Sequence, residues 1–345
     1  MIQPLSANTQ AILMLTAPLI TGRDGPRAQT LTPGEYKRLA QRLRDIRRQP
    51  ADMIGPAAAA VITDCESVVA KERLQGLLGR GFVLSQAVER WNARAIWVIS
   101  RADAIYPKRW KTRLHGDCPP VLYGCGDPNL LVTGGLAVVG SRDVTNDILG
   151  FAGDVGRSAA EAGITIVSGG ARGIDTAAMN GCLDAGGRAC GVVADSLAKH
   201  ALDASNRGPL ADGRVVLVSP YDPAARFNVG HAMGRNKLIY ALADRGFVVN
   251  CEPQKGGTWA GAIEQLNRYC WFPIFVRAGG ESSAGNQELV RRGGVAWHES
   301  PSAQVVKDMV TSEAPRAAEP KQDLGLFPDE EVIGEAPAAV PRRTA

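Results

Sequence analysis

Three Gly-rich turns, one polar turn and one basic triplet hold the residues of this 345-residue chain that could do chemistry. The first turn, Val139-Gly140-Ser141-Arg142, ends an apolar run that starts at Leu136. The second, Ser168-Gly169-Gly170-Ala171-Arg172-Gly173-Ile174-Asp175, ends a run that starts at Ile164. Asp195 to His200 is the polar turn and contributes Lys199; the triplet is Arg235-Asn236-Lys237; the last Gly-rich turn is Lys255-Gly256-Gly257-Thr258-Trp259. Small residues let backbone approach a ligand, and helix starts after such turns present unpaired N–H groups and partial positive charge. With Arg forks nearby, that combination binds phosphate. The expected contacts are Gly140, Ser141, Arg142, Ser168, Gly169, Gly170, Arg172, Lys199, Arg235, Asn236, Lys237, Gly256, Gly257 and Thr258.

The elements that must position them follow from the same pattern. Apolar run, polar turn and helical stretch recur, which predicts an α/β fold with a parallel sheet and right-handed crossovers. All the turns then fall at the C-terminal edge of the sheet, where open α/β sheets bind ligands. No G-x-G-x-x-G follows a strand and no G-x-x-x-x-G-K-[ST] occurs, so neither ordinary dinucleotide binding nor a P-loop ATPase is expected.

Composition narrows the field. A formal charge of +4 permits an anionic partner without demanding one. Aromatics at 6% leave little for extensive base stacking. Seven scattered Cys without a C-x-x-C point to reduced thiols in a cytoplasmic protein. The four His stand alone, so no metal and no cofactor is expected. No apolar run reaches the roughly 18 residues of a membrane span, and Ala11–Ile20 has no basic region before it, so neither a membrane segment nor a signal peptide is read.

Residues 1–95 are expected to form a small helical domain, 96–311 the α/β domain, and 312–345 a disordered Ala/Pro/Glu-rich tail. Thr32-Pro33-Gly34-Glu35 predicts a helix start ahead of Tyr36, Leu39, Leu43 and Ile46. Leu74 to Trp91 predicts two short helices joined at glycine, a helix–hairpin–helix-like or SAM-like unit. Pro119-Pro120 predicts an extended entry into an edge strand at Val121. Trp259 is weighed as a base-stacking residue or a core residue. In the tail, Gln322-Asp323-Leu324-Gly325-Leu326-Phe327 is an apolar island that loosely resembles peptides docking on bacterial sliding clamps.

Together, Val139–Arg142, Ser168–Asp175 with Ala177-Ala178, Arg235-Asn236-Lys237, Tyr106-Pro107 and Pro120–Gly124 resemble the bacterial DNA-processing protein A (DprA/Smf) family over about residues 70–300. The resemblance implies an extended Rossmann-like parallel sheet with helices on both faces. It implies single-stranded DNA binding through the turns, protection of the strand, help in loading a RecA-type recombinase during DNA uptake and recombination, a homodimer, and no catalytic turnover. Three departures mark a divergent branch. Ala194–Lys199 stands where the family has Gly-Cys-Gly-Leu-Asp, Gly256–Trp259 replaces a Ser-Gly-Ser-Leu turn, and no winged-helix sequence is evident.

The departures also support an alternative. Met233–Lys237, Gly256-Gly257-Thr258 and Glu264 resemble the LOG-type nucleotide phosphoribohydrolases. There Arg235 would hold phosphate or ribose, and Glu264 would polarise the water or the ribose hydroxyl.

Overall fold

The computed structural model describes residues 4–20, 29–280 and 282–311. The tail peptide Gln322–Phe327 lies outside the described residues.

Five helices come first: α1 Ala7–Thr16, α2 Pro33–Asp45, α3 Ala58–Asp64, α4 Lys71–Leu78 and α5 Gly81–Asn92. Helix α2 starts where Thr32 and Glu35 predict it. Thr32 Oγ1 accepts from Glu35 N (3.2 Å), and Glu35 Oε2 accepts from Thr32 N (2.8 Å), closing a capping box. Its apolar face buries Tyr36, Leu39 and Leu43. The turn between α4 and α5 faces inward: Arg80 donates to the carbonyls of Met14 and Ala17 (3.0 Å for the latter). A guanidinium thereby satisfies the orphan carbonyls at the C-terminus of α1. These helices and the sheet share one core, with Trp91 of α5 edge-on to Tyr123 at 5.1 Å.

The sheet has nine strands: β1 Trp97–Ser100, β2 Val121–Gly126, β3 Leu136–Gly140, β4 Ile166–Ser168, β5 Ala189–Val192, β6 Val215–Ser219, β7 Arg245–Asn250, β8 Ile274–Arg277 and β9 Val295–Trp297. Their order is β1-β2-β6-β5-β4-β3-β7-β8-β9. From β6 through β9 every pair is parallel; β2 runs antiparallel to both β1 and β6. The expected edge strand at Val121 is therefore an interior strand, and β1 is the edge. The partner that covers β2 is remote in sequence, Tyr123 lying opposite Ser219.

The helices that follow β1 are α6 Lys108–Leu114, α7 Asn146–Glu161, α8 Ile174–Asp184, α9 Leu197–His200, α10 Ala204–Ala211, α11 Val229–Leu242, α12 Gly256–Glu264, α13 Ala284–Arg291 and α14 Ala303–Thr311. Strand side chains alternate between two cores. Leu136 and Val138 enter the core that holds Val155 and Ala178, from α7 and α8. Ala137 and Val139 enter the core that holds Trp110, Leu238 and Ala262, from α6, α11 and α12. Helices thus cover both faces, which is why the strands read as continuous apolar runs.

The chain winds outward from β3 through β4, β5 and β6, then returns along α11 to place β7 on the other side of β3. Strand order reverses between β3 and β7, and a crevice opens beyond their carboxyl ends, as doubly wound sheets require.

Candidate functional site

A groove of about 410 Å³ occupies that crevice. Four segments wall it: Val139–Asp143 after β3, Ala171 and Asp175 after β4, one face of α11 with the loop before it, and Glu252 with Lys255–Thr258 after β7. The α11 face includes Val229, Ala232, Met233, Asn236 and Tyr240, with Arg235 and Ile239 beside them, the three- and four-residue spacing of one helical stripe.

The β3 end is held by its neighbours. Ser141 N donates to Asn250 O (2.9 Å), which joins the turns after β3 and β7. A β-carbon at Gly173, whose φ is +93°, would sit 2.7 Å from Ser141 O and 2.5 Å from Arg142 O. Only glycine lets the second turn come this close to the first. Arg142 is exposed and stands 5.1 Å from the centre of the Phe227 ring, itself 52% exposed at the groove mouth. Guanidinium over an aromatic face leaves its donors free for a phosphate.

The floor is a buried pair. Asp175 is 5% exposed and accepts the backbone N–H of Gly169 (3.2 Å). Arg235 is also 5% exposed; its Nη1 donates to Val192 O (2.6 Å), while its Nε has no partner. Burial raises the Asp175 pKa against the pull of Arg235. Burial likewise lowers that of Arg235 against the pull of Asp175. The two charges compensate one another inside the protein, so neither is wholly available to a ligand.

The β7 end supplies the anion-ready element. Helix α12 begins at Gly256, at φ +80°, with no side chain capping it. Asn236 Nδ2 donates to Gly257 O (2.8 Å) and locks this turn to α11. A β-carbon at Gly257 would meet the Asn236 amide at 2.7 Å. The first N–H groups of α12 therefore open onto the groove beside Thr258.

Of the residues expected to bind, Gly140, Ser141, Arg142, Arg235, Asn236, Gly256, Gly257 and Thr258 line the groove. Six do not. Ser168 is fully buried, its hydroxyl donating to Val138 O (2.6 Å), so it ties β4 to β3. Gly169 makes room behind the groove for the Arg235 guanidinium, and Gly170, at φ +62°, turns the chain. Arg172 is exposed but engaged with Asp143. Lys199 is exposed on α9, away from the lining. Lys237 lies about a third of a turn round α11 from the centre of the groove stripe, outside the lining. Trp259 is buried with the Arg292 guanidinium 5.7 Å from its ring, a core position rather than a stacking one. Glu264 is not brought to Arg235: it sits at the far end of α12, paired with Arg268 (3.3 Å).

Groove-lining residues outside the expected set include Asp143, Asp175, Phe227, Val229, Met233, Glu252 and Lys255. The charged ones among them balance the lining. Arg142, Arg235 and Lys255 face Asp143, Asp175 and Glu252, and Lys255 is paired with Glu252 at 2.8 Å. The signal that marks Phe227 is an exposed aromatic in a polar loop; the carboxylates gave none. Among the described residues no cluster of three or more His, Cys, Asp or Glu could hold a metal, and no helix is long and apolar enough to cross a membrane.

The family model described as DNA recombination-mediator protein A matches residues 97–309. Proteins named DNA processing protein DprA from two strains of Mycobacterium tuberculosis, CDC 1551 and H37Rv, are 29% identical over 233 residues, 65% of this chain. The chain spans 57% of the length of those relatives. The structure of DprA from Streptococcus pneumoniae superposes with a TM-score of 0.64 at 18% identity, covering 88% of this chain and 98% of that one, and shares the fold. DNA processing protein A from Helicobacter pylori, whose structure is described as revealing a single-stranded DNA binding mode, matches at 25% identity and a TM-score of 0.46 over 57% of this chain and 87% of that one.

Proposed function

The chain belongs to the DNA recombination-mediator protein A family, and on that premise we propose that its groove binds single-stranded DNA. One observation carries the reading: the uncapped N-terminus of α12 and the exposed Arg142 both line the crevice between β3 and β7, with the Phe227 ring at its mouth. Backbone amides and a guanidinium take phosphate oxygens without reading sequence, and an exposed ring stacks on any base.

Binding here serves recombination without turnover. The strand is held, shielded, and passed to a RecA-type recombinase during DNA uptake or repair; family membership supports this role. The engagement of Glu264 with Arg268 speaks for binding rather than N-glycosidic cleavage. A homodimer, a cytoplasmic location and a sliding-clamp contact through Gln322–Phe327 complete the proposal.

The test is anisotropy of a labelled oligo-dT against the protein, with a duplex control. Preference for the single strand supports the reading. Equal affinity for duplex, or hydrolysis of nucleoside monophosphates by the protein, contradicts it.

A further inference from the structure

The groove lining carries as many carboxylates as cations, so it grips few phosphates by charge. Besides Arg142 in the groove, further cations without an ion pair lie one helix away. Lys237 leaves the groove stripe on the side of α11 where α6 packs, Trp110 Nε1 donating to Leu238 O (2.9 Å). On α6, Lys111 Nζ stands 5.3 Å from the centre of the Tyr106 ring. Past the end of α6, Lys37 of α2 lies against Gly116, its Cε 2.5 Å from where a β-carbon would be. Arg101, just past the end of β1, joins Lys111 and Lys237 in pulling down the pKa of Cys118, which burial raises. Among the described residues, none of Lys37, Arg101, Lys111 and Lys237 forms an ion pair. Four elements distant in sequence thus place cations without an ion pair around the segment Gly116–Cys118.

We propose that the face formed by Lys37, Arg101, Lys111 and Lys237 is a second binding surface for the backbone of single-stranded DNA, taking the strand after it leaves the groove over α11. The inference rests on the groove reading above. A helix with its side chains is about 10 Å across, so a strand of modest length reaches both surfaces. The groove orients the strand through backbone amides and Arg142, and the cationic face holds its length by counterion release. An acidic protein segment is the competing occupant.

The experiment compares wild type with Arg101→Gln/Lys111→Gln/Lys237→Gln on two probes, an oligo-dT of about 6 nucleotides and one of about 30, bracketing the footprint of one binding module. All three side chains are partly exposed, so unchanged binding of the short probe reports an intact groove. On the long probe the slope of log K against log salt becomes shallower by about 2, three contacts at about 0.7 each. Between 0.05 and 0.15 M salt, wild type then loses about tenfold more affinity than the variant. An unchanged slope on the long probe overturns the second surface and leaves the groove standing. Failure of wild type to bind either probe overturns both.

Discussion

Gly169 and Arg235 are in direct contact: a β-carbon at Gly169 would overlap the Arg235 guanidinium. The glycine that looks like part of a phosphate turn is there to admit an arginine from behind. Gly169→Ala is therefore expected to push Arg235 off Val192 O and to cost about 1–3 kcal/mol, the range for forced overpacking. Thermal unfolding and oligonucleotide affinity should fall together. Wild-type stability in that variant would mean the guanidinium has another resting place.

Arg235→Ala leaves Asp175 buried without its opposing charge. Breaking one side of such a pair costs about 3–5 kcal/mol. Asp175→Asn in the same background removes the stranded charge and should recover a large part of the loss, measured as coupling in a denaturant double-mutant cycle. Additive losses would show that the two residues do not compensate each other.

Glu35 ties α2 to α4 through Arg73 (2.6 Å), and that hydrogen bond, with the cap to Thr32 N, holds its pKa at about 2 instead of 4.5. A lowered folded-state pKa contributes stability that is complete above 4.5 and is lost as pH falls toward 2. Glu35→Gln should destabilise by about 1 kcal/mol at neutral pH. The difference from wild type should close across that acidic window in pH-dependent unfolding. A gap that persists at the acid end would assign the effect to packing.

Asp143 and Glu252 line the groove and neutralise Arg172, just outside the lining, and Lys255, within it. Asp143→Asn and Glu252→Gln release those cations, so each is expected to tighten oligo-dT binding about two- to fivefold at low salt and to steepen the salt dependence by about 0.7 per released contact. Weaker binding in both would mean that the carboxylates themselves contact the ligand.

The architecture was legible where local pattern suffices. Runs such as Leu136–Gly140 and Val215–Ser219 are apolar throughout because both faces of the sheet are covered, and the Thr32–Glu35 box marks its own helix. What the pattern hides is partnership at a distance. Pairing of Tyr123 with Ser219 makes β2 interior, and nothing near Pro119-Pro120 encodes it. Within Arg235-Asn236-Lys237, helical rotation sends the first two side chains to the groove and the third to α6. Which face α11 presents depends on its packing, not on the triplet. Ser168 sits in a turn composed for ligands, yet its hydroxyl is spent on Val138 O. The balancing carboxylates stayed hidden because Asp143 and Glu252 are ordinary loop residues until the fold places them beside Arg172 and Lys255.

The central claim is that Arg142 and the α12 N-terminus hold the backbone of a single strand. The most direct measurement is an anisotropy titration of labelled oligo-dT over a salt series, wild type beside Arg142→Ala, with a duplex of equal length. Wild type should prefer the single strand with affinity that falls as salt rises. Arg142→Ala should weaken that binding about tenfold, the worth of one charge-assisted phosphate contact of about 1.4 kcal/mol, and flatten the slope by about 0.7. Identical curves for the two proteins, or no binding by wild type at low salt, would contradict the account.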